Sequence, residues 1–242
     1  MNHPHDDDVP PRSGSDGATG PARAGRHRQP RAAATRHALL VAAGEQFARH
    51  GYHATSLNDL LSHGPGSKGA LYFHFPSKHA VAAALVEAMT ASWDRVVPDA
   101  ERDTPDALHA LIAVTDNVVV RLDDPIVRGG ARVLRDQVLE HPTLAETSAE
   151  WEDDLARLFT LAARQHLLRP AVDPDWAARE LVVSLAGRAT LLESLEPKQE
   201  LWDQMNEFWT GFLPLVAAEA WLAAWDQRSW LTRPRPASGL DG

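Results

Sequence analysis

Residues 35–78, TRHALLVAAGEQFARHGYHATSLNDLLSHGPGSKGALYFHFPSK, contain the pattern that decides the fold. Thr35 can cap a helix whose apolar residues recur every three or four positions, and Gly51 is placed to end that helix. Thr55 or Ser56 then begins a second, shorter helix. The spacing therefore predicts consecutive helices in this stretch.

A Gly-Pro-Gly turn at residues 64–66 separates the second helix from a third, KGALYFHF, which Ser67 can cap. Pro76 ends the third helix, and Ser77 caps a fourth. Two short helices joined by a tight turn with glycine are what a helix-turn-helix requires, and its second helix lies in the major groove of DNA. Three apolar residues are expected to pack in the core of this unit, namely Leu71, Phe73 and Phe75.

The third helix and its flanks carry groups suited to a DNA backbone. Lys68 offers a charge to phosphate, and Lys78 offers another beside the helix N-terminus at Ser77. Tyr72 and His74 can donate hydrogen bonds to backbone oxygens of the DNA. Together with neighbouring small and hydroxyl residues they make up the predicted DNA-binding set, which is Thr55, Ser67, Lys68, Gly69, Ala70, Tyr72, His74 and Lys78.

The charge is unevenly distributed along the chain, whose net charge is −9. Residues 21–80 contain eight Lys/Arg against Glu45 and Asp59, a net charge of +6, whereas residues 81–242 have a net charge of −12. A basic segment ahead of an acidic body is the electrostatic pattern expected of a phosphate-binding head. The charge pattern therefore favours DNA binding.

Beyond residue 78 the apolar spacing remains helical, which predicts an all-α fold. The expected helices cover residues 77–97, 105–122, 125–140, 143–167, 174–194 and 197–225. The expected domains are a disordered tail at 1–30, a helix-turn-helix DNA-binding domain at 31–78, a larger helical ligand-binding and dimerisation domain at 79–230, and a C-terminal tail at 231–242.

The last two of these helices are expected to pair with their copies in a homodimer. Gly187 would permit close approach between helices. The aromatic residues expected to give this interface its buried area are Trp202, Phe208, Trp209 and Phe212.

The composition argues against several classes of protein. There is no cysteine, so disulfides and thiolate chemistry are excluded. No stretch approaches the roughly 18 apolar residues of a membrane span, and the N-terminus does not have the pattern of a secretory signal. The sequence has no nucleophile elbow or phosphate loop, and its histidines are scattered. We therefore expect a cytoplasmic protein that is not an enzyme, with no metal, no cofactor and no membrane partner.

Residues 35–90 resemble the DNA-binding domain of the TetR family of repressors, and KGALYFHFPSK within them resembles the γ-butyrolactone receptor branch, which governs antibiotic production. The resemblance implies a homodimeric transcriptional repressor that binds a pseudo-palindromic double-stranded DNA operator and is released by a small signalling molecule. It also implies backbone contacts by Lys68, Tyr72, His74 and Lys78, with Ser67, Gly69 and Ala70 facing the bases.

The turn at residues 64–66 departs from the family pattern. The family usually has Ala-Gly-Val-Thr where this chain has Gly-Pro-Gly followed by Ser67. The apolar residue that anchors the turn is missing, and each glycine adds backbone freedom worth up to about 1 kcal/mol. We therefore expect DNA affinity or operator identity to differ from the family's.

The resemblance continues through DDPIVRGGARVL and LLRPAVDPDWAARELV, and it implies that Trp151 contacts the ligand. An indole can stack on a lactone ring and donate its N–H to a ring oxygen. Arg188 lies where the receptors carry a Phe-Gly-Gln-His-type sequence, and it either favours a carboxylate or phenolate ligand or pairs with Glu193 at the surface. The other residues expected in the same cavity are Leu134, Ser148 and Met89.

The fourth helix is the expected hinge, because it begins at the Lys78 contact and its 89–93 end would reach the sensing core. Two other functions fit the sequence. One is a TetR-type regulator of an efflux or catabolic gene with a different ligand. The other is a helical ligand-binding protein that has lost DNA binding through its altered turn.

Overall fold

The computed structural model describes residues 22–64, 67–194, 200–225 and 227–236. In these ranges the chain forms twelve helices and no strand, which confirms the all-α fold. None of the helices described there is both long and apolar enough to cross a membrane. The helices are α1 (Ala22–Ala54), α2 (Leu57–His63), α3 (Lys68–His74), α4 (Lys78–Trp93), α5 (Val96–Asp103), α6 (Ala107–Arg121), α7 (Pro125–Arg135), α8 (Leu144–Arg164), α9 (Pro174–Ser194), α10 (Leu201–Val216), α11 (Glu219–Ala224) and α12 (Gln227–Leu231).

Helix α1 begins earlier and ends later than expected. Its backbone is helical from Ala22, inside the stretch 1–30 that was expected to be a disordered tail, and residues 1–21 lie outside the described ranges. At Gly51 the backbone has φ 77°, a left-handed conformation that glycine adopts without steric cost, and α1 kinks there. The expected end at Gly51 is therefore a kink, and the helix continues to Ala54.

The helix starts that follow agree with the capping pattern of the sequence. Ser56, Ser67 and Ser77 each accept a hydrogen bond from the backbone N–H three residues further along the chain. Each cap satisfies an N–H that the first turn of a helix leaves without a partner. Local signals thus fix where α2, α3 and α4 begin.

The first of two hydrophobic cores, here the head core, is formed by α1, α2, α3, α4 and α7. A Cβ added at Gly129 of α7 would lie 2.5 Å from the Cα of Gly44, and one at Gly130 would lie 2.7 Å from the backbone oxygen of Leu85. Because no side chain fits there, these glycines let α7 pack backbone against backbone on α1 and α4. The head core therefore extends well past residue 78.

The second core, here the sensor core, is formed by α5, α6, α8, α9, α10 and α11. The helix expected at 197–225 is interrupted in it, because α10 ends at Val216 and Ala217 adopts an extended conformation. The N–H of Ala218 then donates to the backbone oxygen of Leu167 over 2.7 Å. This contact with the α8–α9 connection separates α11 from α10.

Residues 227–236, here the C-terminal strap, pack on the sensor core. Arg233 forms a two-pronged ion pair with Asp116 of α6, with Nη2 2.7 Å from Oδ1 and Nε 3.1 Å from Oδ2. The guanidinium also lies 4.5 Å from the ring centroid of Trp202 and 3.9 Å from that of Trp230. Burial raises the pKa of Asp116, and Arg233 opposes that rise. The expectation of a loose C-terminal tail is therefore wrong for residues 231–236.

Candidate functional site

The helix-turn-helix consists of α2 and α3, each seven residues long. Ser56 and Asp59 form a capping box at the start of α2. Leu71 and Phe75 are buried as expected, but Phe73 is 79% exposed. The expectation for Phe73 is wrong because Leu71 and Phe75 are four residues apart on one side of the helix, which places Phe73 on the other side.

The outer face of α3 presents polar and aromatic groups together. Ser67, Lys68 and Gly69 are exposed, and Lys68 Nζ lies 6.0 Å from the ring centroid of exposed Tyr72. Ala70 and His74 are half-buried. Residues 65 and 66 of the preceding turn lie outside the described ranges, so the effect expected of that turn stays a prediction.

Lys78 has a structural role inside the head. Its Nζ donates hydrogen bonds of 2.9 Å to the backbone oxygens of Tyr52 and Thr55, and it lies 4.0 Å from the Tyr52 ring centroid. These contacts join the start of α4 to the end of α1. The phosphate contact assigned to Lys78 stays a prediction beside this role.

Thr55 does not present its side chain to solvent. It is 2% exposed, and its hydroxyl donates to the backbone oxygen of Gly51 over 2.8 Å. A buried hydroxyl cannot reach a phosphate, so the assignment of Thr55 to the DNA-binding set is corrected. Ser56 caps α2 in its place.

A cavity of about 140 Å³, here the ligand cavity, lies where α4, α6, α7, α8 and α9 meet. Its wall is mostly apolar, which suits an uncharged organic group. The apolar lining includes Trp93, Val114, Val118, Leu134, Trp151, Leu155, Val182 and Leu185, and the polar lining consists of Thr115, Arg135, Thr147, Ser148 and Thr190.

The structure brings three of the five expected ligand residues together in this wall, namely Trp151, Leu134 and Ser148. Met89 is not among the lining residues: it is fully buried in the head core and faces Gly130, where an added Cβ would lie 2.9 Å from its own. Helical spacing places Met89 and Trp93 on one stripe, but α4 meets α7 at Met89 and meets the cavity at its last residue, Trp93. Met89 therefore lies outside this wall, and its contact with the ligand stays a prediction that the structure does not favour.

Arg188 also lies outside the ligand cavity wall. Its Cζ is 5.1 Å from the ring centroid of Phe208 on α10, and its Nη1 donates to the backbone oxygen of Ser184 over 3.4 Å. The side chain of Glu193, its other expected partner, lies outside the described residues. This side chain packs between α9 and α10, beside the cavity wall, and the selection of a carboxylate or phenolate by Arg188 stays a prediction that its position does not favour.

The polar groups of the cavity wall differ in whether they have partners. Thr115 accepts a hydrogen bond from Trp209 Nε1 over 2.9 Å, and Thr190 donates to the backbone oxygen of Ala186 over 2.8 Å. The Arg135 side chain also has an interaction partner, so it is not free to bind a ligand without giving up that contact. By contrast, Trp93 Nε1 and Thr147 Oγ1 are buried and have no hydrogen-bond partner among the described residues. No group of three His, Cys, Asp or Glu residues in the same ranges is placed to hold a metal ion.

A second space of about 350 Å³, here the acidic groove, adjoins the ligand cavity. Trp93, Thr147 and Trp151 line both spaces and form the partition between them. The two indoles meet edge to face, with ring centroids 5.7 Å apart and an interplanar angle of 80°. The other residues that line the groove are Thr90, Asp94, Val97, Pro98, Glu150, Asp154 and Arg157.

The aromatic residues expected at a dimer interface are mostly internal. Trp202, Trp209 and Phe212 are buried in the sensor core, and Phe208 packs against it. Burial removes Trp202, Trp209 and Phe212 from the exposed surface that an interface needs, whereas the assignment of half-buried Phe208 stays a prediction. Apolar side chains that α9 and α10 leave exposed are Trp176, Val183, Leu191 and Leu215.

Comparison with known proteins places both halves of the chain in one family. Residues 39–85 match the model for bacterial regulatory proteins of the tetR family, and residues 105–215 match the tetracyclin repressor-like C-terminal domain. A similar relative is the A-factor receptor protein of Streptomyces griseus, which is 28% identical over 78% of this chain and 66% of its own length.

Solved structures agree with these matches. The TetR family protein CprB from Streptomyces coelicolor is 30% identical over 81% of this chain and 94% of its own, with a TM-score of 0.71, and CprB has also been solved with its biological operator sequence. A gamma-butyrolactone receptor described as ArpA-like is 28% identical over 80% of this chain and 94% of its own, with a TM-score of 0.70. With a capped helix-turn-helix in its head and a helical sensor domain behind it, the chain belongs to the TetR family of bacterial regulatory proteins.

Proposed function

We propose that the chain is a ligand-responsive transcriptional repressor, which binds a pseudo-palindromic operator and is released from it by a small γ-butyrolactone-like molecule to control secondary metabolism. The observation that carries this proposal is the position of the ligand cavity, whose wall includes α4 and α7, two helices of the head core. The A-factor and gamma-butyrolactone receptors and the operator complex of CprB support the two partners. Such a protein works in the cytoplasm by binding, without catalysis.

On the DNA side, α3 enters the major groove as the recognition helix. Lys68 and Tyr72 contact backbone phosphates, and Gly69 and Ala70 allow close approach to the bases. Phe73, which the sequence analysis places in the core, also contacts the DNA in this proposal. Its exposed ring offers the apolar contact that a thymine methyl group accepts in the major groove.

Two copies of the chain are needed, because one seven-residue helix spans too few base pairs for specificity. The exposed apolar side chains of α9 and α10 supply the surface for a two-fold dimer. An added Cβ at Gly187 of α9 has no neighbour within 4 Å, so this position is open to a partner helix. The two recognition helices then read half-sites whose centres lie one helical turn of DNA apart, or a small multiple of it, at about 34 Å per turn.

The release mechanism follows from the helices that the cavity and the head share. Effector and operator must favour different head positions, because a ligand with equal affinity for both states shifts nothing. Trp93 of α4 and Leu134 of α7 line the cavity, and both helices pack in the head core. An effector displaces them together, so the head tilts as one body and the recognition helices lose their spacing. A coupling of about 1–3 kcal/mol is ordinary for such a device.

The test is a mobility shift with DNA from upstream of the chain's own gene, titrated with butyrolactones, butenolides and antibiotics. Trp151→Ala should bind this DNA as the unmodified protein does but lose the response to the effector. Trp225→Ala is the matched control, because it removes an equally large, half-buried indole that does not line the ligand cavity.

A folded Trp151→Ala protein that still releases DNA at the same effector concentration would refute the assignment of the cavity. Release by antibiotics and not by butyrolactones would favour a regulator of efflux or catabolism. Failure to bind any upstream DNA would favour a ligand-binding protein without an operator.

A further inference from the structure

The ligand cavity is too small for a whole effector of ordinary size. Its volume of about 140 Å³ matches the roughly 150 Å³ at which an engineered protein cavity takes up one benzene molecule, whereas pockets for drug-sized ligands measure about 300–1,000 Å³. The acidic groove adds about 350 Å³ directly behind the partition. A larger effector reaches the second space by displacing Trp93, Thr147 and Trp151, the residues that the two spaces share.

The partition contains two polar groups that have no hydrogen-bond partner among the described residues. Thr147 is 7% exposed, and neither its Oγ1 nor the Nε1 of Trp93 has a hydrogen-bond partner there. Buried polar groups in native proteins are nearly always paired, and an unpaired one costs about 1–3 kcal/mol. An effector that displaces these side chains as it enters would bring a hydrogen-bonding group to both atoms, since the indole N–H donates and the hydroxyl can donate or accept.

The groove behind the partition has a net negative charge. Asp94, Glu150 and Asp154 line it, and none of them lies within ion-pair distance of a cation among the described residues, although Asp154 attracts Arg157 over a longer distance. The one cation of its lining, Arg157, is bound through both Nη atoms to the carboxylate of Glu101, at 2.7 and 3.0 Å. An anionic group in the groove would therefore be repelled by three carboxylates.

We propose that the effector places an apolar group in the ligand cavity, a hydrogen-bonding group at the partition, and an uncharged or cationic end in the acidic groove. Molecules with the same skeleton and a carboxylate are rejected there. This inference rests on the proposed function and defines the chemical class of its effector. It replaces Arg188, which lies elsewhere, with Glu150, Asp154 and Thr147 as the residues that set ligand charge and polarity.

The experiment compares γ-decalactone with its hydrolysis product, 4-hydroxydecanoate, by titration calorimetry on the full chain at neutral pH. The two probes share a carbon skeleton and differ in the carboxylate. Because any apolar cavity disfavours an anion, the informative quantity is the change caused by the Glu150→Gln/Asp154→Asn double variant. It should bind the hydroxy acid at least about fivefold more tightly and the lactone unchanged, with the largest gain at low salt, where charges are least screened.

Asp153→Asn is the matched control, since it removes an exposed carboxylate of α8 next to Asp154 that does not line the groove. It should change neither affinity. A control that improves hydroxy-acid binding as much as the double variant would show a general charge effect and overturn the inference. The same holds if the double variant leaves the ratio of the two affinities unchanged, or if the unmodified protein does not bind the lactone.

Thr147→Val tests the partition with a side chain of nearly the same shape. It should weaken lactone binding about fivefold without lowering the melting temperature, because an unpaired buried hydroxyl does not stabilise the fold. An unchanged lactone affinity would overturn the role of Thr147. Operator binding, measured separately by mobility shift, distinguishes the two proposals. If the unmodified protein does not bind DNA, the repressor function is contradicted. If the lactone still releases DNA but the double variant binds both probes as the unmodified protein does, only the effector chemistry is contradicted.

Discussion

The head core and the sensor core are closed in different ways. Within the head core, α7 packs on α1 and α4 through backbone contacts at Gly44, Gly129 and Gly130, which leave no room for a side chain. The sensor core depends on side-chain pairs between distant parts of the chain, such as Arg233 with Asp116. It borders the ligand cavity, and a few buried polar atoms in this part of the molecule have no hydrogen-bond partner among the described residues. The head is thus closely packed across α7, whereas the sensor core has open space beside it.

The largest effect expected from a single substitution is at the C-terminal strap. Arg233→Ala leaves the Asp116 carboxylate buried without its cation, which should lower the free energy of unfolding by about 3 kcal/mol at neutral pH. Arg235→Ala is the control, because Arg235 pairs with the more exposed Asp123 and should cost less than about 1 kcal/mol. Equal losses in the two variants would mean that the strap does not close the sensor core.

The same variant has a distinct pH dependence. Burial already raises the pKa of Asp116, and removal of Arg233 should raise it further. A carboxyl with a raised pKa favours the folded state when protonated, so the loss caused by Arg233→Ala should shrink as the pH falls through the pKa of folded Asp116 and reach its full size above it. Thermal melts of both proteins across the acid range measure this difference.

Substitution in α7 tests whether the two cores are coupled. Gly129→Ala places a methyl group against the backbone of Gly44, and we expect a loss of about 2–3 kcal/mol from overpacking. Gly211→Ala is the control, because an added Cβ there meets nothing within 4 Å in the same chain. Since α7 belongs to the head core and lines the ligand cavity, Gly129→Ala should also weaken effector-driven release of DNA. Unchanged release would show that α4 alone carries the coupling.

The two lysines of the helix-turn-helix region should differ in their effect on folding, whatever Lys78 adds to DNA binding. Lys78→Ala removes two charged hydrogen bonds and a contact with an aromatic ring, and it should cost the head about 2 kcal/mol. Lys68→Ala should leave stability unchanged and flatten the slope of log affinity against log salt by about one unit, because one phosphate contact is lost. A Lys68→Ala protein with an unaltered salt slope would remove Lys68 from the interface.

Sequence reasoning succeeded where the deciding interactions are local. Ser56, Ser67 and Ser77 each cap a helix by accepting a hydrogen bond from the backbone N–H three residues later, and such short-range signals can be recognised in the sequence. It failed where the partner lies far away in sequence. Met89 faces Gly130, and Arg233 pairs with Asp116, which lies 117 residues earlier in the chain. Helical periodicity shows which residues share a face, but it does not show which other part of the chain that face contacts.

The smallest effect on stability is expected at Phe73, where the sequence was most misleading. LYFHF has the composition of a core segment, yet a seven-residue helix with Leu71 and Phe75 on its buried side must turn the residue between them outward. Because the ring is already in water, Phe73→Ala should change the free energy of unfolding by less than about 0.5 kcal/mol. The same substitution should weaken operator binding severalfold with no change in the salt slope, since an apolar contact with a base releases no counterion. That combination separates Phe73 from Lys68, whose loss changes the slope. If Phe73→Ala lowers the melting temperature and leaves operator affinity intact, the ring stabilises the head and does not contact the DNA.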